Sequence, residues 1–302
     1  NIYFGDKIST PTLFEFLIFF LFLHYLFRVL YILSDILFFP LYYIIRYRRK
    51  MVIENMRNSF PEKDDKEILR MERAFYHHFC DYVVETIKLM HISDEEMRMR
   101  TQFYGVELLD KAIAEGCSCL MYLGHYGNWE WVPSVTLWMH NPEVIFAQIY
   151  RPLKNKWFDH FFLKLRSRFN SHGIPKQDTL REIIRYRNSG QPSITGFMAD
   201  QTPSPTNIHF WMTFLNQDTP VLTGVEKIAK KVDFAVFYFD VEKVRRGYYA
   251  VTIREVELHP KEASEFDITR KYMGLMENTI RRAPEYWLWT HNRWKHKGLK
   301  KK

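Results

Sequence analysis

The chain of 302 residues carries 43 Lys and Arg against 35 Asp and Glu, a net charge of +8, and 17% of it is aromatic. That length supports one large core, or one core with an appendage, and excludes a string of independent domains. Cys80, Cys117 and Cys119 form no CxxC pair and exclude a disulfide framework, so a reducing compartment is expected; basic charge with many aromatics suits a membrane surface, an acidic protein or nucleic acid.

Residues 13–45, LFEFLIFFLFLHYLFRVLYILSDILFFPLYYII, form an apolar run interrupted only by Glu15, His24, Arg28, Ser34, Asp35 and Pro40. A spanning helix needs about 20 apolar residues, and no window of that size here is free of charge. The run also lacks the basic start and small-residue cleavage site of a signal peptide. RYRRK follows at Arg46–Lys50, and basic flanks of this kind tend to stay cytoplasmic. Residues 1–45 are expected to form a helical membrane anchor and 46–302 a catalytic domain; a buried hydrophobic hairpin is the competing reading of the anchor.

From Met51 the pattern becomes globular. Glu62–Met90 predicts a helix with apolar positions at Ile68, Leu69, Phe75, Phe79, Val83 and Ile87, opened by Pro61 and first-turn acids. Ser93 caps the start of a second. Beyond Gly116, candidate strands lie at Cys117–Leu123, Val144–Tyr150, Ser193–Met198, Phe234–Val241 and Tyr248–Val256. Candidate helices lie at about 128–139, 154–169, 178–188, 222–231 and 267–282. This alternation predicts an α/β fold with a mixed, largely parallel sheet flanked by helices. Ligands bind such sheets at the carboxyl ends of the strands.

Three polar groups stand at such ends. His125 follows the run CLMYL inside GHYGNWE, where Gly124 and Gly127 permit a tight turn and Asn128 can cap a helix carrying Glu130. If the chain folds back, the Glu130 carboxylate reaches one imidazole nitrogen and makes the other a general base. The competing reading is a helix-start acid beside a structural histidine. Arg151, held before Pro152, can grip an anion through its planar fork or lie solvated. Asp200 can orient Arg151, contact substrate, or begin a turn before Pro203. There is no G-x-S-x-G elbow, H-E-x-x-H pair, phosphate-binding G-x-x-x-x-G-K-[ST] or G-x-G-x-x-G. A covalent acyl-enzyme, a catalytic metal and a nucleotide cofactor are therefore not expected, and no other cofactor is called for.

Together these residues resemble the bacterial lipid A biosynthesis acyltransferases, the late lauroyl/myristoyl enzymes of the lysophospholipid acyltransferase superfamily. The likeness covers nearly the whole chain. It runs from the apolar start through a join at Arg49, Asn55 and Phe60-Pro61-Glu62 to GHYGNWE, an extended H-x-x-x-x-D/E motif. It continues through Tyr150-Arg151-Pro152, Asp200-Gln201 and TGVEKIAKK to APEYWLWTHNRWK at 283–295, where Asn292 stands in place of a second arginine that many members carry. The resemblance implies O-acyl transfer from an acyl carrier protein thioester to a hydroxyl of a lipid A precursor. The catalytic residues would be His125 and Glu130, with Asn128, Arg151, Asp200 and Arg293 contacting substrate. Backbone amides of the glycine-flanked turn would receive the thioester oxygen. It further implies a monomer on the cytoplasmic face of the cell inner membrane, with no nucleic-acid partner. A lysophospholipid or aminolipid acceptor fits the same motifs. A basic membrane-surface or RNA-binding module, using the tail THNRWKHKGLKK, is the reading from another class.

Overall fold

In the computed structural model, which describes residues 27–299, the first element is helix α1, Phe27–Ile45, with a mean hydropathy of 1.6. It is long and apolar enough to cross a membrane, and its last turn, Pro40–Ile45, widens to π-helical geometry. Phe27, Ser34, Phe38 and Tyr42 make one buried stripe at helical spacing. Ile32, Ile36, Phe39, Ile44 and Ile45 face outward, each more than half exposed. The first half of the apolar run lies outside the described residues.

Helices α2, Arg49–Ser59, and α3, Asp65–Lys88, follow. The start of α3 is set by a reciprocal cap: Asp64 accepts from the Glu67 amide, and Glu67 accepts from the Asp64 amide. Its buried face is only in part the apolar one expected, since Ile68 and Phe75 are buried and Phe79 is partly so. Leu69, Val83 and Ile87 are exposed, whereas Glu72, His78, Asp81, Glu85 and Lys88 are buried. Apolar spacing misleads here because polar groups from neighbouring elements satisfy that row. Ser93 caps α4, Asp94–Arg100, as its sequence predicts.

Strand β1, Thr101–Tyr104, and helix α5, Val106–Ala114, lead to β2, Cys119–Leu123, all of whose residues are buried. Then come β3, Ile145–Tyr150; α6, Lys156–Arg166; β4, Ser171–Pro175; α7, Thr179–Ser189; and β5, Ser193–Met198. A separate hairpin of β6, Phe210–Phe214, and β7, Gln217–Val221, precedes α8, Gly224–Val232. The chain then forms β8, Ala235–Arg245; β9, Tyr248–Glu257; and α9, Asp267–Arg282. The seven-stranded sheet has the order β1-β9-β8-β2-β5-β3-β4, parallel throughout except between β8 and β9. This is the mixed, largely parallel sheet of the sequence reading, flanked by helices.

Parallel pairing puts the carboxyl ends of β2, β5 and β3 on one sheet edge, so Leu123, Met198 and Tyr150 lead into adjacent loops there. The expected helix at 128–139 is instead a 3₁₀ segment, Trp129–Leu137. Pro133 inside it withholds an amide from the helical ladder.

Candidate active site

The turn after β2 is held by contacts from three directions. Gly124 lies against Met276 of α9, where an added Cβ would stand 2.3 Å from the methionine methyl. Gly127 sits at φ +60°, a conformation that favours glycine. The C-terminal segment pairs with the turn as a short strand would. The Gly127 amide donates to the Tyr286 carbonyl (2.9 Å), and the Leu288 amide donates to the His125 carbonyl (3.0 Å).

His125 is oriented by Asp200, not by Glu130. Asp200 Oδ1 lies 2.7 Å from His125 Nδ1, and Oδ2 accepts from the His125 amide (2.9 Å) and the Trp287 indole (2.8 Å). Burial alone would raise the Asp200 carboxyl, but His125, Trp287 and the His125 amide together hold it well below the usual carboxylate range. A carboxylate on Nδ1 keeps the proton there and leaves Nε2 as the basic atom. Gln201 Nε2 stands 3.2 Å from that atom. The His125 ring meets the Trp129 ring edge-on, with centroids 5.2 Å apart.

Glu130 is only 3% exposed, and both its oxygens lie on Arg166 of α6, at 2.6 and 2.9 Å. The fold-back expected from spacing is therefore replaced by a clamp between the 3₁₀ segment and α6. The pair stands in the wall of an apolar cleft lined also by Leu123, Trp129, Phe146 and Met198. Trp129 both lines this cleft and meets the His125 ring.

The remaining expected residues fall in three environments. Arg151 is exposed just past β3, on the same sheet edge as His125. Asp200 bonds His125 and Trp287 instead of Arg151. Asn128 makes no capping bond; its amide donates to Glu85 (2.9 Å), and at 1% exposure it is closed to substrate. Arg293 is equally buried and donates to the Pro220 carbonyl (2.8 Å), while its Nε and Nη2 lack partners. Burial pushes its guanidinium down to about 10, against the pull of Asp200. It therefore stands behind the site. The turn amides are also committed: those of His125, Tyr126 and Gly127 go to Asp200, the Gly124 carbonyl and the Tyr286 carbonyl. They do not form the expected oxyanion receiver.

The supposed basic tail is folded into the body through residue 294. Trp294 donates to Thr219, and the Arg48 and Asn55 side chains donate to the carbonyls of Thr290, Trp289 and His291. The two ends of the sequence likeness thus meet behind the imidazole. The sequence profile of the bacterial lipid A biosynthesis acyltransferase family matches residues 27–296. The chain belongs to this family. Among similar proteins, the lipid A biosynthesis acyltransferase of Haemophilus influenzae is 21% identical over 65% of this chain and 60% of its own length, so less than two thirds of that relative is spanned. The lipid A biosynthesis lauroyltransferase of Escherichia coli K12 is 22% identical over 82% of this chain and 79% of its own.

Sequence reasoning missed Trp287 and Arg166 and named Gln201 only as part of a motif. Asp200 was singled out without its role. One signal was present for Glu85: an acid on a helix whose neighbours Val84 and Leu89 are apolar.

Proposed function

We propose that this protein transfers a fatty acyl group from an acyl carrier protein thioester to a hydroxyl of a lipid A precursor, with His125 as general base. The observation that carries the reading is His125 itself: Nδ1 is tied to a buried carboxylate, and the ring meets Trp129, which lines an apolar cleft. An aliphatic hydroxyl is a poor nucleophile at neutral pH and must lose its proton as it attacks. Nε2 takes that proton while the hydroxyl oxygen bonds to the thioester carbon. The tetrahedral intermediate then collapses, the C–S bond breaks, and the imidazolium returns the proton to the departing thiolate. The products are an ester and the free carrier thiol.

Asp200 stabilises the imidazolium between the two steps. The acceptor hydroxyl would displace the Gln201 amide from Nε2, leaving that amide free to donate to the carbonyl oxygen. Glu130 and Arg166 serve as a rigid wall of the cleft that holds Trp129 against the ring. Arg151, exposed on the site's edge, meets a phosphate of the acceptor or the donor's phosphorylated arm. The protein would act as a monomer, with α1 and the residues before it anchoring it to the cytoplasmic face of the inner membrane. The carrier protein, acidic by class, would complement a charge of +8.

The test is mass spectrometry of the lipids formed from acyl carrier protein thioester and lipid A precursor by wild type and His125→Ala. Wild type should add one acyl mass to the precursor and the variant should not. Acylation of a lysophospholipid but not of the precursor would overturn the acceptor assignment. A folded His125→Ala protein with full turnover would overturn the base.

A further inference from the structure

Two lines of polar contacts run from α1 to the turn that carries His125, and the acyl transfer derived above uses neither. In the first, the Tyr31 hydroxyl donates to Glu85 Oε1 (2.9 Å), while Glu85 Oε2 accepts from Asn128 Nδ2 (2.9 Å) and the Tyr249 hydroxyl (2.7 Å). In the second, the Ser34 hydroxyl donates to Asp81 Oδ1 (2.8 Å), and Asp81 Oδ2 accepts from Lys243 Nζ (3.3 Å). Lys243 also donates to His78 Nδ1 (3.1 Å), and His78 Nε2 lies 3.2 Å from the Gly127 carbonyl. A lysine ammonium only donates, so Nδ1 accepts and the proton on Nε2 faces that carbonyl. Arg246 braces the second line, bonding Asp81 (2.6 Å) and Asp35 of α1 (2.7 Å).

Both lines end on adjacent residues, Gly127 and Asn128, directly after His125-Tyr126. The groups between are dry: Ser34, His78, Asp81, Glu85 and Asn128 are each at most 4% exposed. Glu85 is a fully buried carboxylate bonded by three neutral donors and, among the described residues, by no cation. Such a group is costly, and an apolar residue of like size would serve packing better. Asn128 likewise gives up the helix-cap bond that its place would allow.

We infer that Tyr31, Asp81 and Glu85 are positioning residues that make the geometry of His125 depend on how α1 is seated on the body. The inference rests on the reading of His125 as the base. When α1 shifts, Glu85 and Asp81 lose a donor, and the turn loses the two contacts that fix its carbonyl and its amide side chain. Acyl transfer is thereby favoured only when the apolar helix is docked.

Tyr31→Phe tests this with the full chain, because it deletes one hydroxyl and keeps the ring that packs on Phe27 and Arg246. Turnover would be measured with acyl carrier protein thioester and lipid A precursor in phospholipid vesicles, together with vesicle co-sedimentation and thermal unfolding. The expected result is about a tenfold lower kcat, as for loss of one hydrogen bond to a charged group, with KM for the acceptor and vesicle binding unchanged. Its loss should not add to that of Glu85→Gln, because both act through one contact. Ser34→Ala probes the second line and serves alone if Tyr31→Phe fails to fold. Wild-type kcat in the folded, vesicle-bound variants overturns the inference, and so does a loss confined to KM or vesicle binding. His125→Ala assayed alongside separates the two claims: lost turnover there with wild-type kcat in Tyr31→Phe rejects the coupling alone, whereas full turnover there rejects the base on which the coupling rests.

Discussion

Asp200 grips His125 twice, by ring and by backbone, and this double hold predicts what its amide would do. In Asp200→Asn the amide group can donate to Nδ1, which drives the proton onto Nε2 and removes the base. A kcat loss of about 10²–10⁴-fold is expected, comparable to the whole acid–base contribution, and Glu130→Gln should cost far less turnover because its carboxylate does not touch the ring. Comparing the kcat of the two folded variants decides it, and equal losses would return Glu130 to the catalytic pair. The same carboxylate carries a pH signature. Its folded value is depressed, so its stabilisation is fully present above the unfolded value of about 3.9 and is lost as pH falls below that. The stability gap between wild type and Asp200→Asn in chemical denaturation should be widest near pH 7, begin to narrow at about pH 4, and keep narrowing as pH falls toward the depressed folded value. A gap independent of pH would mean that the depressed carboxyl has no consequence for folding. His125 was legible in the sequence because it follows an apolar run ending in a glycine turn. Its partner was not, because Asp200 is 75 residues away and only the β2–β5 pairing brings the two loops together.

The strands and helices that could be read from the sequence were those with a strong period and clear punctuation. Ser193–Met198 is an uncharged run punctuated by Gly190 and Pro192 before it, and α9 begins and ends where the sequence reading put it, at 267–282. The elements that escaped notice lack such marks. Strand β4 reads SHGIP, with no alternation, and the β6–β7 turn uses Leu215 and Asn216 at positive φ in place of the usual Asn-Gly. The 3₁₀ segment escaped because a helix start was read at Asn128 without weighing Pro133 or the β-branched Val132, Val135 and Thr136 that follow. That segment is fastened to α6 by Glu130 and Arg166, an ion pair 3% and 17% exposed. Removing either partner strands the other, so Glu130→Ala and Arg166→Ala should each destabilise by about 3 kcal/mol. The double variant should cost clearly less than the sum. Denaturant midpoints of the three proteins measure this, and simple additivity would mean that the pair does not hold the two elements together.

For the whole molecule, α1 is both a structural helix and an outward apolar surface. Deleting it would uncover Tyr76, which packs on Tyr42, as well as remove the outer apolar face, so truncation cannot separate the two roles. Charging the outer face can. Ile32→Lys with Ile36→Lys alters residues 60% and 62% exposed and should lower vesicle partitioning while leaving thermal unfolding unchanged. Undiminished partitioning at high salt would assign membrane binding to another surface. The pairing of the His125 turn with residues 286–288 has a further consequence, in the order of synthesis. Strand β2 leaves the ribosome long before Tyr286, Trp287 and Leu288 exist, and at about 5–20 residues per second the interval is on the order of ten seconds or more. During that time the histidine has neither the Trp287 indole steadying Asp200 nor the strand-like contacts around its turn. A nascent or prematurely ended chain thus carries the histidine without the contacts that hold its turn. The arrangement around His125 is complete only once translation has passed Trp287 and Leu288.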